Sequence, residues 1–255
     1  MWQNINPDDF DTVPRPVLAI SNDYPPSFEL ETHQHRRGQL VYAASGVVAV
    51  TTPDGAWVAP PERAVWIPGG TPHAVRMVGP VSTRSLMIEP GVCPALGTAC
   101  RVIEVSPLLG QLLLETTRLP REYELQGRDR LVIELVLEEL ALAPPVAMAV
   151  AFPISAALAH KCHAFLERPS PHDTISHWAG DLGMSRRSFT RRFRLETGMS
   201  FAEWRQQACL LIAFPRLALG ESVTTIALDL GYDSVAAFTA MFKRRLGVPP
   251  SHYQA

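Results

Sequence analysis

Between Val17 and about residue 105, apolar positions fall in short runs rich in Val, Ile and Trp. Proline and glycine cut these runs: QLVYAASGVVAVTTPDG (39–55), AWVAPPERAVWIPGGTPH (56–73) and STRSLMIEPG (82–91). Runs of this length and punctuation predict strands of a sandwich or small barrel. The pattern then changes period. PLLGQLLLETTR (107–118) and RDRLVIELVLEELALA (128–143) place apolar residues at helical spacing without turn signals. PPVAMAVAFP (144–153) is uncharged and rich in Pro and Ala, which predicts a linker, and from Ile154 onward the pattern is helical throughout. Strands followed by helices predict an α+β chain. Its expected parts are a β domain over 1–105, a helical pair and linker over 106–148, and an all-α domain over 149–255.

The helical part contains an internal repeat. AGDLGMSRRSFTRRFRLETG begins at Ala179, and ALDLGYDSVAAFTAMFKRRLG begins at Ala227 with one extra residue in its turn. Each copy has a small residue where two helices can cross, and four residues on a glycine for a left-handed turn (Gly183, Gly231). A serine follows that can cap a new helix (Ser185, Ser234), and then an i,i+4 pair of phenylalanines for the core (Phe189/Phe193, Phe238/Phe242). This is helix-turn-helix grammar. At about 100° per residue, the face opposite Phe189 and Phe193 carries Arg187, Arg191 and Arg194, flanked by Ser188 and Thr190. Arginines so placed can grip guanine edges or hold phosphates.

Charge agrees with this division. The formal net charge is −2, but from Ile154 on there are 12 Lys/Arg against 8 Asp/Glu, and before it 11 against 17. A net of +4 beside a net of −6 assigns contact with a polyanion to the helical part alone.

These residues carry a resemblance. The stretch from about 155 to 253, and above all its tail DLGYDSVAAFTAMFKRRLGVPPSHYQ, resembles the AraC/XylS family of transcription regulators. Members of that family place two recognition helices in successive major-groove segments of one duplex. The resemblance implies base-facing positions at Arg187, Thr190 and Arg191, with Ser185, Arg186, Ser188 and Arg194 around them. In the second unit, after the capping Ser234, the matching positions are Val235, Ala236, Thr239 and Ala240, which offer little hydrogen bonding, so that helix is expected to read thymine methyls or shape. Lys243, Arg244 and Arg245 are expected near phosphates there. A second departure is Pro215 within the linking helix FAEWRQQACLLIAFPRLALG, which predicts a kink or break near Ile212–Phe214.

The β part holds histidines at a suggestive spacing. HQHRRGQLVYAASG is similar to the first cupin motif at His33, His35, Gln39 and Gly46, and PGGTPH to the second at Pro68, Gly70 and His73. The resemblance implies a cupin-like β-barrel, with His33, His35, Gln39 and His73 as candidate ligands of a divalent transition metal (Zn, Ni, Mn, Fe or Cu). Residues two apart on a strand point the same way, so His33 and His35 are expected to aim inward together. On the same parity, Glu31 is a candidate substitute ligand. Gln39 stands where cupins usually have Glu, so a metal-free pocket for an organic ligand remains open beside the metal reading. Glu31, Tyr42, Trp57, Trp66 and Met77 are candidate lining residues, although core filling is the preferred reading of the two tryptophans. The α-helical stripe Leu131, Val132, Leu135, Val136, Leu140 fits either a packing face within the domain or a dimer seam.

The remaining numbers bound the class. Hydrophobic residues make up 47 % and charged residues 19 %, as in a globular chain. No apolar run reaches the roughly 18 residues of a membrane span, and the acidic MWQNINPDDFD lacks an export pattern. A cytoplasmic regulator of promoter DNA is expected, dimeric, controlled by a small molecule or metal, and contacting RNA polymerase if it activates. The rival reading is a metal-dependent oxygenase or isomerase with an accessory DNA-binding domain. The missing carboxylate at Gln39 weighs against it, because such iron sites use two His and a carboxylate.

Overall fold

The computed structural model describes residues 10–254, so the first nine residues of the acidic N-terminal stretch lie outside it. The chain divides into two compact units, one running to Thr52 and from Trp57 to Val146, the other comprising 53–56 and 147–255.

The first unit is an antiparallel sheet domain. Its strands are β1 (Val17–Tyr24), β2 (Glu29–His33), β3 (Gly38–Thr52), the last three residues of β4 (Gly55–Ala59), β5 (Arg63–Ile67), β6 (His73–Ile88), β7 (Arg101–Glu104) and β8 (Pro145–Val146). The two long strands organise it. The C-terminal half of β6 pairs with β1 (Val17↔Ile88 to Tyr24↔Val81) and with the start of β3, while its N-terminal half pairs with β2 and with the end of β3 (Val47↔Val78 to Thr51↔Ala74). Register shifts between Ala43 and Val47 mark where β3 changes pairing, the usual place for a strand to bend.

Two helices complete this unit, α1 (Pro107–Thr116) and α2 (Gly127–Leu142). The Ser106 side chain caps α1, and Pro107 stands at its first position, where a missing N–H costs nothing. Leu109, Leu112 and Leu113 of α1 and Ile133, Val136 and Leu140 of α2 join Val17, Leu40, Trp66, Leu86 and Ile103 in one core. The apolar stripe of α2 is therefore split. Val136 and Leu140 are buried, whereas Leu131 and Leu135 are 64 % and 43 % exposed.

The segment expected to be a linker is structured. Val146 pairs with Val102. In the second unit β9 (Ala149–Ala151) follows, and Met148, Val150 and Phe152 are buried. Alanine and valine without charges suit a short buried strand as well as a linker, and burial decides between them.

The second unit contains α3 (Ala156–Glu167), α4 (Ile175–Asp181), α5 (Arg186–Thr197), α6 (Phe201–Ala218), α7 (Val223–Asp229) and α8 (Val235–Leu246). Fully buried Trp178 of α4 anchors the first half. Its ring lies 4.9 Å from Phe201 and 5.9 Å from Trp204, and its indole N–H donates to Asp173 at 2.7 Å. Phe189 and Phe193 pack on the same group. Phe214, Phe238, Phe242 and Tyr253 form the matching core of the second half.

The expected break at Pro215 is absent: α6 runs continuously from Phe201 to Ala218. Leu211, Ala213, Phe214 and Leu217 are all buried around the proline. That packing offsets the roughly 3 kcal/mol a proline costs in a helix interior.

Gly38 gives a test of this packing. A Cβ there would lie 2.0 Å from the Trp66 ring, whose indole N–H is fixed on the Gly97 carbonyl at 3.1 Å. Gly38→Ala is expected to lower stability by about 1–3 kcal/mol in chemical denaturation. Adding Trp66→Leu should cost less in that background than in wild type, because the two changes share one clash.

Candidate histidine centre and nucleic-acid interface

The motif histidines converge by a route other than strand alternation. His33 ends β2, His35 lies in the turn before β3, and His73 opens β6 directly opposite His33. Their ligand-capable atoms all lie within 4.8 Å of one another. Glu31 does not join them. A register shift after Leu30 puts Leu30 opposite Val75 and His33 opposite His73, two residues of one β6 face. The parity that favoured Glu31 is thereby broken: its side chain is exposed, and it contributes its main-chain carbonyl instead.

The three rings share one hydrogen-bonding pattern. His33 Nδ1 lies 2.8 Å from the Glu31 carbonyl, His35 Nδ1 2.6 Å from the Arg37 carbonyl, and His73 Nδ1 2.8 Å from the Thr71 carbonyl. A carbonyl only accepts, so each Nδ1 carries a hydrogen and donates it. In a neutral ring the lone pair is then on Nε2. Metal-binding histidines are held in this way. His73 Nε2 is buried without a hydrogen-bond partner. Burial also lowers the His73 pKa to about 4, so its lone pair is available at neutral pH. His35 Nε2 faces Gln39 Oε1 at 3.1 Å. Two acceptors facing each other are matched by a cation bound to both, or by reversal of the amide.

Backbone packing holds these positions. Gly70, with φ +76°, donates its N–H to the His35 carbonyl at 2.8 Å, and a Cβ on Gly69 would lie 2.1 Å from the Arg36 carbonyl oxygen. Arg37 is fully buried. Its guanidinium donates to the carbonyls of Val13 and Arg15 at 2.9 and 2.8 Å and pairs with Glu89 at 2.8 Å. Neither Gly69 nor Arg37 stood out in the sequence.

The proposed lining residues divide. Met77 is buried and shares the His73 face of β6, and Trp57 is buried, whereas half-buried Tyr42, its phenol pKa raised by burial and by Glu62, packs against the core beneath α1 and α2. Trp66 belongs to the core beneath α1 and α2.

In the helical unit, both turns form as their residues dictate. Gly183 and Gly231 have φ of +63° and +75°. Ser185 accepts from the Ser188 N–H and Ser234 from the Ala237 N–H, each at 3.2 Å. Arg186, Arg187, Ser188, Thr190, Arg191 and Arg194 are all exposed along α5. Among the described residues, Arg187 and Arg191 make no ion pair, whereas their neighbour Arg192 is held by Glu196 at 2.8 Å. An open concavity of about 800 Å³ runs along this helix past Met184, Ser188, Arg191 and Arg194. On α8, Ala236, Ala240, Lys243 and Arg244 are exposed and Val235 and Thr239 half-buried. Arg245 is occupied by Gln206 at 2.9 Å.

Two capped reading helices on a shared scaffold, preceded in the chain by a sheet domain with its own donor cluster, define a DNA-binding transcription regulator with a ligand-binding N-terminal domain. Comparison with known proteins agrees. Residues 16–141 match the AraC-like ligand binding domain, and residues 178–255 match a helix-turn-helix domain. The chain is 34 % identical over 223 residues to the HTH-type transcriptional regulator NimR of Escherichia coli, covering 88 % of this chain and 81 % of that one. It therefore belongs to the AraC family of transcription regulators. It is also 30 % identical over 88 residues to the regulator RipA of Corynebacterium glutamicum, covering 34 % of this chain and 27 % of that one. Among solved structures it is similar to ToxT of Vibrio cholerae, with a TM-score of 0.38 and 12 % identity over 93 % of this chain and 96 % of that one.

The lowered His73 pKa has a consequence for stability. An unfolded chain takes up the proton near 6.5 and the folded chain near 4. The contribution of His73 is thus intact above pH 6.5 and is lost progressively as pH falls to about 4, by up to roughly 3 kcal/mol. His73→Asn should show a shallower loss of unfolding free energy than wild type between pH 7 and 4.5.

Proposed function

We propose that the N-terminal domain senses a divalent transition metal, alone or as the anchor of a small molecule, and that occupancy changes the affinity of the helical domain for promoter DNA. The supporting observation is the convergence of three histidines whose ligand-capable nitrogens lie within 4.8 Å of one another, each ring having its Nδ1 on a main-chain carbonyl. His33, His35 and His73 would be the nitrogen ligands and Gln39 Oε1 an oxygen ligand. Imidazole with a neutral oxygen suits Zn, Ni, Cu, Fe or Mn. With no carboxylate in the cluster among the described residues, the donor set favours binding over oxygenase chemistry.

The regulator would act as a homodimer and, as an activator, would recruit RNA polymerase. Leu131, Leu135 and Leu142, exposed on α2, support a helix-to-helix seam. In DNA binding, Arg187 and Arg191 would contact base edges.

Two experiments test this. Metal content of untagged protein should be near one per chain and should fall to background in His33→Ala/His73→Ala; wild type without metal overturns the metal reading. Separately, Arg187→Ala and Arg191→Ala should each weaken specific promoter binding by about 1–3 kcal/mol. Wild-type binding by both would remove α5 from the recognition face.

A further inference from the structure

α5 and α8 are the same device with opposite surface chemistry. Counted from the capping serines, Phe189 and Phe193 of α5 coincide with Phe238 and Phe242 of α8, and all four are fully buried. The two helices therefore present equivalent positions outward. Where α5 presents Arg186, Arg187 and Arg191, α8 presents Val235, Ala236 and Ala240, and both have threonine at the fifth helical position, Thr190 and Thr239. At its far end α8 regains charge, with exposed Lys243 and Arg244 in the last turn.

We infer that α8 reads its DNA segment through thymine methyl groups, so that the operator is divided in kind: a guanine-bearing segment under α5 and a thymine-bearing segment under α8. The inference rests on the DNA-binding function established above and concerns which bases each helix selects. Methyl side chains cannot satisfy the donors and acceptors of a major-groove edge. The one apolar group on that edge is the 5-methyl of thymine. Pressing Ala236 or Ala240 against a G·C pair would strip water from polar atoms and leave them unpaired, which disfavours that pair. Against a thymine methyl the same contact buries apolar surface on both sides. Lys243 and Arg244 supply phosphate contacts that fix α8 in the groove without selecting bases. Arginines at Arg187 and Arg191 select guanine by a bidentate grip, so the two helices demand different bases from one continuous site.

The test begins by selecting operator duplexes from a random pool with the full chain. The segment under α5 is assigned as the one whose contacts Arg187→Ala loses. Deoxyuridine, which lacks the 5-methyl, then replaces each thymine in turn. Under α8, each contacted methyl removed should weaken binding about three- to fivefold, and deoxyuridine under α5 should have little effect. 7-Deazaguanine, which lacks N7, should do the reverse. Ala240→Gln should shift the selected base toward adenine at its position, because glutamine pairs with adenine N6 and N7. An enriched operator that tolerates deoxyuridine throughout the α8 segment overturns the inference in favour of shape readout. A pool with no enriched sequence would instead overturn the sequence-specific DNA-binding reading, and the inference with it.

Discussion

One buried guanidinium holds the sheet domain's site in place. Arg37 is fully enclosed and cannot be hydrated, so its charge must be met by Glu89 and by the carbonyls of Val13 and Arg15. Removing one partner of such a pair costs about 3–5 kcal/mol, so the turn between β2 and β3 has little freedom. The carbonyl of that same residue accepts from His35 Nδ1. Glu89 is also gripped by Arg36 at 2.5 and 2.7 Å, which holds its carboxyl below the usual range and keeps it charged. Charge neutralisation on one side of the turn thus sets a tautomer on the other, and the tautomer decides which nitrogen is offered to a ligand.

The helical domain separates its framework from its reading surface. Aromatic rings fill both cores, centred on Trp178 in one half and on Phe214 and Phe242 in the other, with α6 spanning the two. Because cap, glycine and phenylalanine pair fix each reading helix from behind, its outer residues are free to differ. The contrast between the arginine face of α5 and the methyl face of α8 is possible because neither face bears on folding.

Much of this was legible in the residues. The repeat at Ala179 and Ala227 announced both turns, because a positive-φ glycine, a capping serine and an i,i+4 aromatic pair each act locally. The histidines were legible as a group through their spacing, but not as geometry. His33 and His35 converge through a turn and a register shift, and alternation along one strand gave Glu31 a place it does not have. Nothing in the sequence separates buried Arg37 from exposed Arg36, because burial there depends on the N-terminal segment returning over the turn. The motif names Gly70 and not Gly69, yet Gly69 is the one pressed against its neighbour. Pro215 does not break α6, and part of the 144–153 segment forms short strands, because local penalties and propensities are of the order of 1–3 kcal/mol and packing overrides them.

The measurement that bears most directly on the account is the affinity of the full, untagged chain for its selected operator in metal-free and metal-saturated buffer at one ionic strength. If the histidine centre controls DNA binding, the two affinities should differ by at least about fivefold, the lower end of common allosteric couplings. His33→Ala/His73→Ala should abolish the difference. Equal affinities for wild type, with metal shown to be bound, would contradict the claim that the centre is the regulator's sensor.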